Sequence, residues 1–167
     1  MSINAPAASP AARNPLARFT RGTFGLFPIS LTMLVLRVTL AAPFWKSGLT
    51  KWDGWFNLSF GARALFTDEF KLHIFGAEYP YPAPEAMAWA SAVCEVAFPV
   101  LLVLGLGTRY AALGLLGMTA IIQLTVPDGW MNFHLPWAAM ELALITFGPG
   151  RIALDYILGL DGVSKPE

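Results

Sequence analysis

Three ionisable side chains stand inside otherwise apolar stretches: Arg37 in ISLTMLVLRVTLAAPFWKSG, Glu95 in EAMAWASAVCEVAFPVLLVL and Glu141 in NFHLPWAAMELALITF. A charge at the middle of a lipid-crossing helix costs about 2.5–3.5 kcal/mol, so each must have a partner or a task. Two readings are open. One is an internal salt bridge, Arg37 with Glu95, that sets the register of two helices. The other is a buried polar layer that handles protons or meets the polar head of a ligand. With one base and two acids, one carboxyl lacks an ionic partner and needs support from Gln123, a tyrosine or water. Cys94 adjoins Glu95 but points about 100° away around a helix. As the single cysteine it has no resolving thiol, and it reads as a small buried hydrophobe. Met131 and His134, with His73 further upstream, offer soft sulfur and imidazole, a donor set that suits copper. The three are scattered, and the commoner fate of such a histidine is an interfacial hydrogen bond. The sequence therefore assigns no metal.

The elements that must hold these residues follow from length. Crossing about 30 Å of hydrocarbon takes roughly 20 helical residues. Four segments approach that length, at 29–48, 85–104, 108–126 and 132–147. The breaks between them are chemically distinct: GLGTR from Gly105, VPDGW from Val126 and GPGR from Gly148. Pro99, four residues after Glu95, removes the N–H that would bond the Glu95 carbonyl. Gly107, Ala111, Gly114 and Met118 form a narrow stripe that permits close helix approach. The first span runs outward and the second and fourth return inward, so Arg37, Glu95 and Glu141 are expected at one depth, roughly 12 Å from the cytoplasmic edge.

Between the first two spans, the run from Ser59 to Phe75 places Phe60, Ala64, Phe66, Phe70, Ile74 and Phe75 at near-helical spacing. It predicts an amphipathic helix lying on the bilayer or capping the bundle mouth. YPYPAP, Tyr79 to Pro84, predicts a rigid extended lead into the second span.

Composition agrees with lipid as the solvent. Hydrophobic residues make up 56% of the chain and charged ones 13%, against about 25% charged in soluble domains. Eleven basic residues balance eleven acidic ones, and no basic run points to nucleic acid. The expected fold class is an all-α membrane protein, a four-transmembrane-helix bundle with an outer interfacial segment between helices 1 and 2. Residues 1–17 read as a disordered cytoplasmic tail, 18–160 as the membrane domain and 161–167 as a second cytoplasmic tail. Arg13, Arg18, Arg21, Arg109, Arg151 and Lys165 fall on one side, which the positive-inside bias makes cytoplasmic. Trp45, Trp52, Trp55, Trp89, Trp130 and Trp137 gather near the other ends, where indole rings favour the headgroup zone.

LRVTLAAPFWKSGLTKW, with Arg37, Gly48 and Lys51, resembles the opening signature of the DoxX family. CEVAFPVLLVLGLGTRYAALGLLGM, with Glu95, Gly105 and Arg109, resembles its central signature, and GPGRIALD, with Gly148, Gly150, Arg151 and Asp155, its closing one. The resemblance implies a four-helix protein of the bacterial inner membrane, and the arginine and tryptophan placement above puts both termini in the cytoplasm. It also implies kinship with subunits of quinol oxidases and thiosulfate:quinone oxidoreductases. No haem-ligand pair at matched depth, flavin fingerprint or paired thiol is visible in the sequence, so a self-sufficient catalytic centre is not expected. Two functions are expected in turn. The first is a redox-associated membrane subunit that contacts a quinone or a partner oxidoreductase. The second is a non-enzymatic carrier or assembly factor for a small product or a metal-stress pathway.

Overall fold

The structure, a computed structural model, describes residues 28–160. The expected tails, with Arg13 and Lys165, lie outside the described residues, as do Arg18 and Arg21 at the start of the expected membrane domain. In chain order the elements are α1 (Ile29–Leu49), α2 (Phe60–Ala64), a π-helical turn (Leu65–Glu69), β1 (Lys71–Ile74), β2 (Ala77–Pro80), α3 (Pro84–Leu104), α4 (Thr108–Thr125), a second π-helical turn (Trp130–His134), α5 (Leu135–Phe147) and α6 (Leu154–Ile157). The helices α1, α3, α4 and α5 pack around one apolar core that includes Leu40, Phe44, Leu102, Ala112, Leu115 and Leu144. Of these helices, α1 and α3 have the length and apolarity needed to cross a membrane.

Local chemistry explains the helix ends. α3 starts with Pro84, whose missing N–H costs nothing in the first turn, and with Glu85 beside the positive end of the helix dipole. It stops at Gly105 in the left-handed region, φ +69°. There Gly105 N–H returns to Leu102 O at 3.1 Å and Leu106 N–H to Leu101 O at 2.9 Å, a Schellman closure. The π-helical turn before α5 ends with Leu135 N–H on Trp130 O. Pro136, which follows, has no N–H to continue that wider spacing.

The segment after α1 differs from the amphipathic helix expected over Ser59–Phe75. Ser59 does cap a helix, accepting from Ala62 N–H at 3.1 Å. That helix lasts five residues. After the π-helical turn the chain extends into an antiparallel hairpin in which Lys71 faces Pro80 and Ile74 faces Ala77. The two-residue turn is Phe75–Gly76, both at positive φ (50° and 81°), the geometry that matches strand twist. Aromatic spacing misled because the alternating run KLHI satisfies a strand period as readily as a helix face. The fold is thus a helical bundle with one small hairpin. Leu58, Phe66 and Tyr81 of this cap pack on Ala88 and Ala92, in the first turns of α3.

At the opposite end, which we call the turn end, Arg37 is fully buried. Its guanidinium donates to Leu102 O at 3.1 Å and to Ile152 O. It closes the carboxyl end of α3, where the helix dipole favours a cation and Leu102 O accepts from both Gly105 N–H and the guanidinium. Gly105 makes the space: a Cβ there would collide with Arg37 Nη1 and with Ala153. Asp155 is the acid whose charge acts on Arg37. Its carboxylate accepts from the backbone N–H groups of Gly107 at 2.7 Å and Thr108 at 2.8 Å, capping α4 from outside. Arg109 donates to the carbonyls of Ile145 and Thr146 at the end of α5. Gly148 and Gly150 take positive φ (77° each) between α5 and α6, and Arg151 N–H reaches Ser30 Oγ at 3.1 Å.

This packing sets up a comparison. Gly105→Ala and Gly107→Ala both put a side chain in the left-handed region, a strain of about 1–2 kcal/mol. At Gly107 nothing lies within 4 Å of the added Cβ. At Gly105 the guanidinium must also leave its carbonyls, which belongs with the 3–5 kcal/mol of stranding a buried charge. Thermal unfolding in detergent is expected to show a much larger loss for Gly105→Ala than for Gly107→Ala.

Candidate functional site

α1 and α3 run antiparallel with a stagger that separates the two charges expected to pair. Arg37 lies level with Leu102, whereas Glu95 lies level with Gly48. Arg37 and Gly48 are eleven residues apart on α1, about 16 Å of helical rise. The Arg37–Glu95 salt bridge is therefore replaced by another. Lys51, one residue past the cap of α1, folds back so that Nζ meets Glu95 Oε2 at 2.6 Å. Both partners are buried. Ser47 Oγ accepts from Lys51 Nζ at 2.9 Å, and Ser91 Oγ donates to Glu95 Oε1 at 2.8 Å. Each serine stands four residues before its charge, one helical turn away.

Two sequence features bring α1 close enough for this. Pro99 leaves the Glu95 carbonyl without its helical donor. Gly48 then lies against that carbonyl, and a Cβ on it would sit 2.9 Å from Glu95 O. A larger residue at position 48 would push Lys51 away from its partner.

Glu141 is fully buried elsewhere. Its Oε1 accepts from Thr119 Oγ1 at 2.8 Å, and its Oε2 has no hydrogen-bond partner. Gln123, the expected support for a lone carboxyl, instead serves His134. Gln123 Nε2 donates to Pro127 O at 3.2 Å, which leaves Oε1 to accept from His134 Nδ1 at 2.6 Å. The His134 ring also lies over Gly129, where a Cβ would come within 2.5 Å of it. Arg37, Glu95, Glu141 and Gln123 thus occupy four separate networks rather than one polar layer. His73 Nδ1 donates to Leu124 O at 3.1 Å, tying the hairpin to α4. Met131 is exposed and His134 buried. Among the described residues, no three of His, Cys, Asp and Glu gather as a metal-binding group.

The ion pair lines a cavity of about 370 Å³ beneath the cap. Its walls come from α1 (Pro43, Phe44, Ser47), α3 (Met87, Ser91, Cys94, Glu95) and α4 (Met118, Ile122, Thr125), with Trp137 of α5. Phe66, Phe70 and Tyr81 of the cap line it as well, and Tyr81 Oη donates to Thr125 Oγ1 at 2.5 Å, whose own hydrogen goes to Ile121 O. A mostly apolar hollow with a few convergent polar atoms is the usual form of a small-molecule site. Sequence reasoning grouped Lys51 with the family motif but gave it no partner, and it passed over Ser47, Ser91, Tyr81 and Thr125. The serine spacing was the available signal.

Two helices of membrane-spanning length and apolarity, a buried lysine–glutamate pair and a capped apolar cavity define a helical bundle with a candidate ligand site. The DoxX family model matches residues 32–128. An uncharacterized protein of Haemophilus influenzae is 30% identical over 142 residues, covering 77% of this chain and 83% of the relative. No solved structure matches the chain. The chain belongs to the DoxX family of membrane proteins.

The pair's contribution can be measured. Lys51→Met or Glu95→Gln strands one buried charge and is expected to cost about 3–5 kcal/mol. Lys51→Met combined with Glu95→Gln should lose clearly less than the sum of the single losses in a double-mutant cycle of chemical unfolding.

Proposed function

We propose that this protein is a redox-associated membrane subunit whose cavity receives a quinone, with the head of the ring at Lys51 and Glu95. The observation that carries this reading is a buried ion pair on the wall of an otherwise apolar hollow. The residues fit such a ligand. The volume lies within the ordinary range for ligand sites, about 300–1,000 Å³. The Phe66, Phe70 and Trp137 rings offer flat apolar faces. Lys51 Nζ carries three donors, of which Glu95 and Ser47 engage two. The third suits a carbonyl oxygen. Glu95, held by Ser91 and Lys51, is the group that would take or give a proton at the ring oxygen. The chemistry a bound quinone supplies is the carriage of electrons together with protons. A partner oxidoreductase would supply or accept the electrons.

In the same reading, α1, α3, α4 and α5 are four spans in the bacterial inner membrane, and both chain ends are cytoplasmic. The bond from Arg151 N–H to Ser30 Oγ supports this, since it joins the start of α1 to the segment after α5. Arg109 and Arg151 at that end agree with the positive-inside bias.

Purified protein is expected to retain ubiquinone in mild detergent. Glu95→Gln should weaken ubiquinone binding at least tenfold, about 1.4 kcal/mol, while Glu141→Gln leaves it unchanged. Folded wild-type protein that holds no ubiquinone would refute the quinone reading. For topology, alkaline phosphatase fused after Leu160 should be inactive and the same enzyme inserted after Gly54 active. The reverse pattern, or activity at both sites, would overturn the orientation.

A further inference from the structure

The cavity is closed above and at its side in different ways. One stripe of α3, Met87, Ser91, Cys94 and Phe98, faces one stripe of α4, Gly114, Met118, Ile122 and Thr125. Toward the turn end the stripes touch, and a Cβ on Gly114 would lie 2.5 Å from the Phe98 ring. Toward the capped end they line the cavity instead of each other. They part beside Pro99, where α3 lacks a backbone hydrogen bond. The cap roofs the gap and is fastened to α4 by Tyr81 on Thr125 and by His73 on Leu124 O. The side has no such cover. Ala90 and Ile121 line the cavity and are also exposed, Ile121 by 41%. On the same two helices Val93 and Leu124 are exposed too, so the surrounding surface is apolar.

We propose that the cavity opens sideways into the bilayer between the capped halves of α3 and α4, and admits a single-tailed amphiphile through that slot. Its hydrogen-bonding head lies toward Lys51 and Glu95, and its hydrocarbon tail passes between Ala90 and Ile121 into lipid. This rests on the reading of the cavity as a binding site. A tail that stays in lipid forfeits no hydrophobic stabilisation, worth about 0.8 kcal/mol per buried methylene. A water-soluble charged molecule would have to cross hydrocarbon to reach the same slot.

Cys94, the only cysteine of the chain, lines the cavity and reports on the route. The full chain in liposomes is treated with a maleimide carrying a decyl tail, or with one carrying a quaternary ammonium. Labelling of Cys94 by the decyl reagent is expected to be at least tenfold faster. Partitioning into lipid alone could produce that difference, so the slot is then plugged. Ala90→Trp and Ile121→Trp should each slow decyl labelling at least tenfold. Leu113→Trp, an equally bulky change at an exposed position of α4, should leave it unchanged. Helicity and monodisperse elution identify any variant that fails to fold, and the remaining plug then carries the comparison. Equal rates for the two reagents, no slowing in a folded plug variant, or no labelling by either reagent would overturn the lateral route. None of these readings needs quinone, so failed ubiquinone retention with intact lateral labelling refutes the ligand and leaves the route standing.

Discussion

Where α1 crosses α3, Gly48 lies against the carbonyl that Pro99 has released from the helix, and that contact sets how far one rod slides along the other. A shift of one turn would carry Lys51 past Glu95 and Arg37 past the end of α3. Both cations are buried, and both depend on this single register for their partners. In lipid, unlike water, no solvent waits to take over a lost hydrogen bond. The stagger is therefore fixed at two points about 16 Å apart along α1.

The two anchor points have different characters. At the turn end the charges meet backbone: Arg37 closes α3, Asp155 caps α4 and Arg109 meets the last carbonyls of α5. These contacts exhaust themselves in holding helix ends together. At the capped end the charges meet side chains, and the pair faces open space. Motif residues spread over the whole chain thus divide into a structural set and a set beside the cavity. Glu141 belongs to neither, since its hydroxyl partner lies on α4 alone.

Much of the helical framework could be read from the residues because long apolar runs and glycine–proline punctuation act locally. The bounds of α1, α3 and α4 fall within about two residues of the expected ones. The partners of the buried charges could not be read in the same way. Depth along a helix says which charges share a level only if the helices start together, and α3 starts well beyond the end of α1. The extra turns are covered by a cap whose hairpin depends on one tight turn, Phe75–Gly76. Ser47 before Lys51 and Ser91 before Glu95 did carry information, as hydroxyls placed one turn from a charge. Gly105 likewise signalled a helix stop, while its second duty, leaving room for a guanidinium, depends on a residue far away in sequence.

The bond between Arg37 and the carbonyl of Ile152 joins residues 115 positions apart. A ribosome adding roughly 5–20 residues per second needs on the order of ten seconds to make that much chain. Throughout that interval the first helix holds a guanidinium whose final acceptor does not yet exist, and Leu102, 65 positions along, arrives only partway through. Arg37 consequently gains its second carbonyl only when the segment just before α6 has been made. A nascent chain stalled before Ile152 would hold an incompletely satisfied charge.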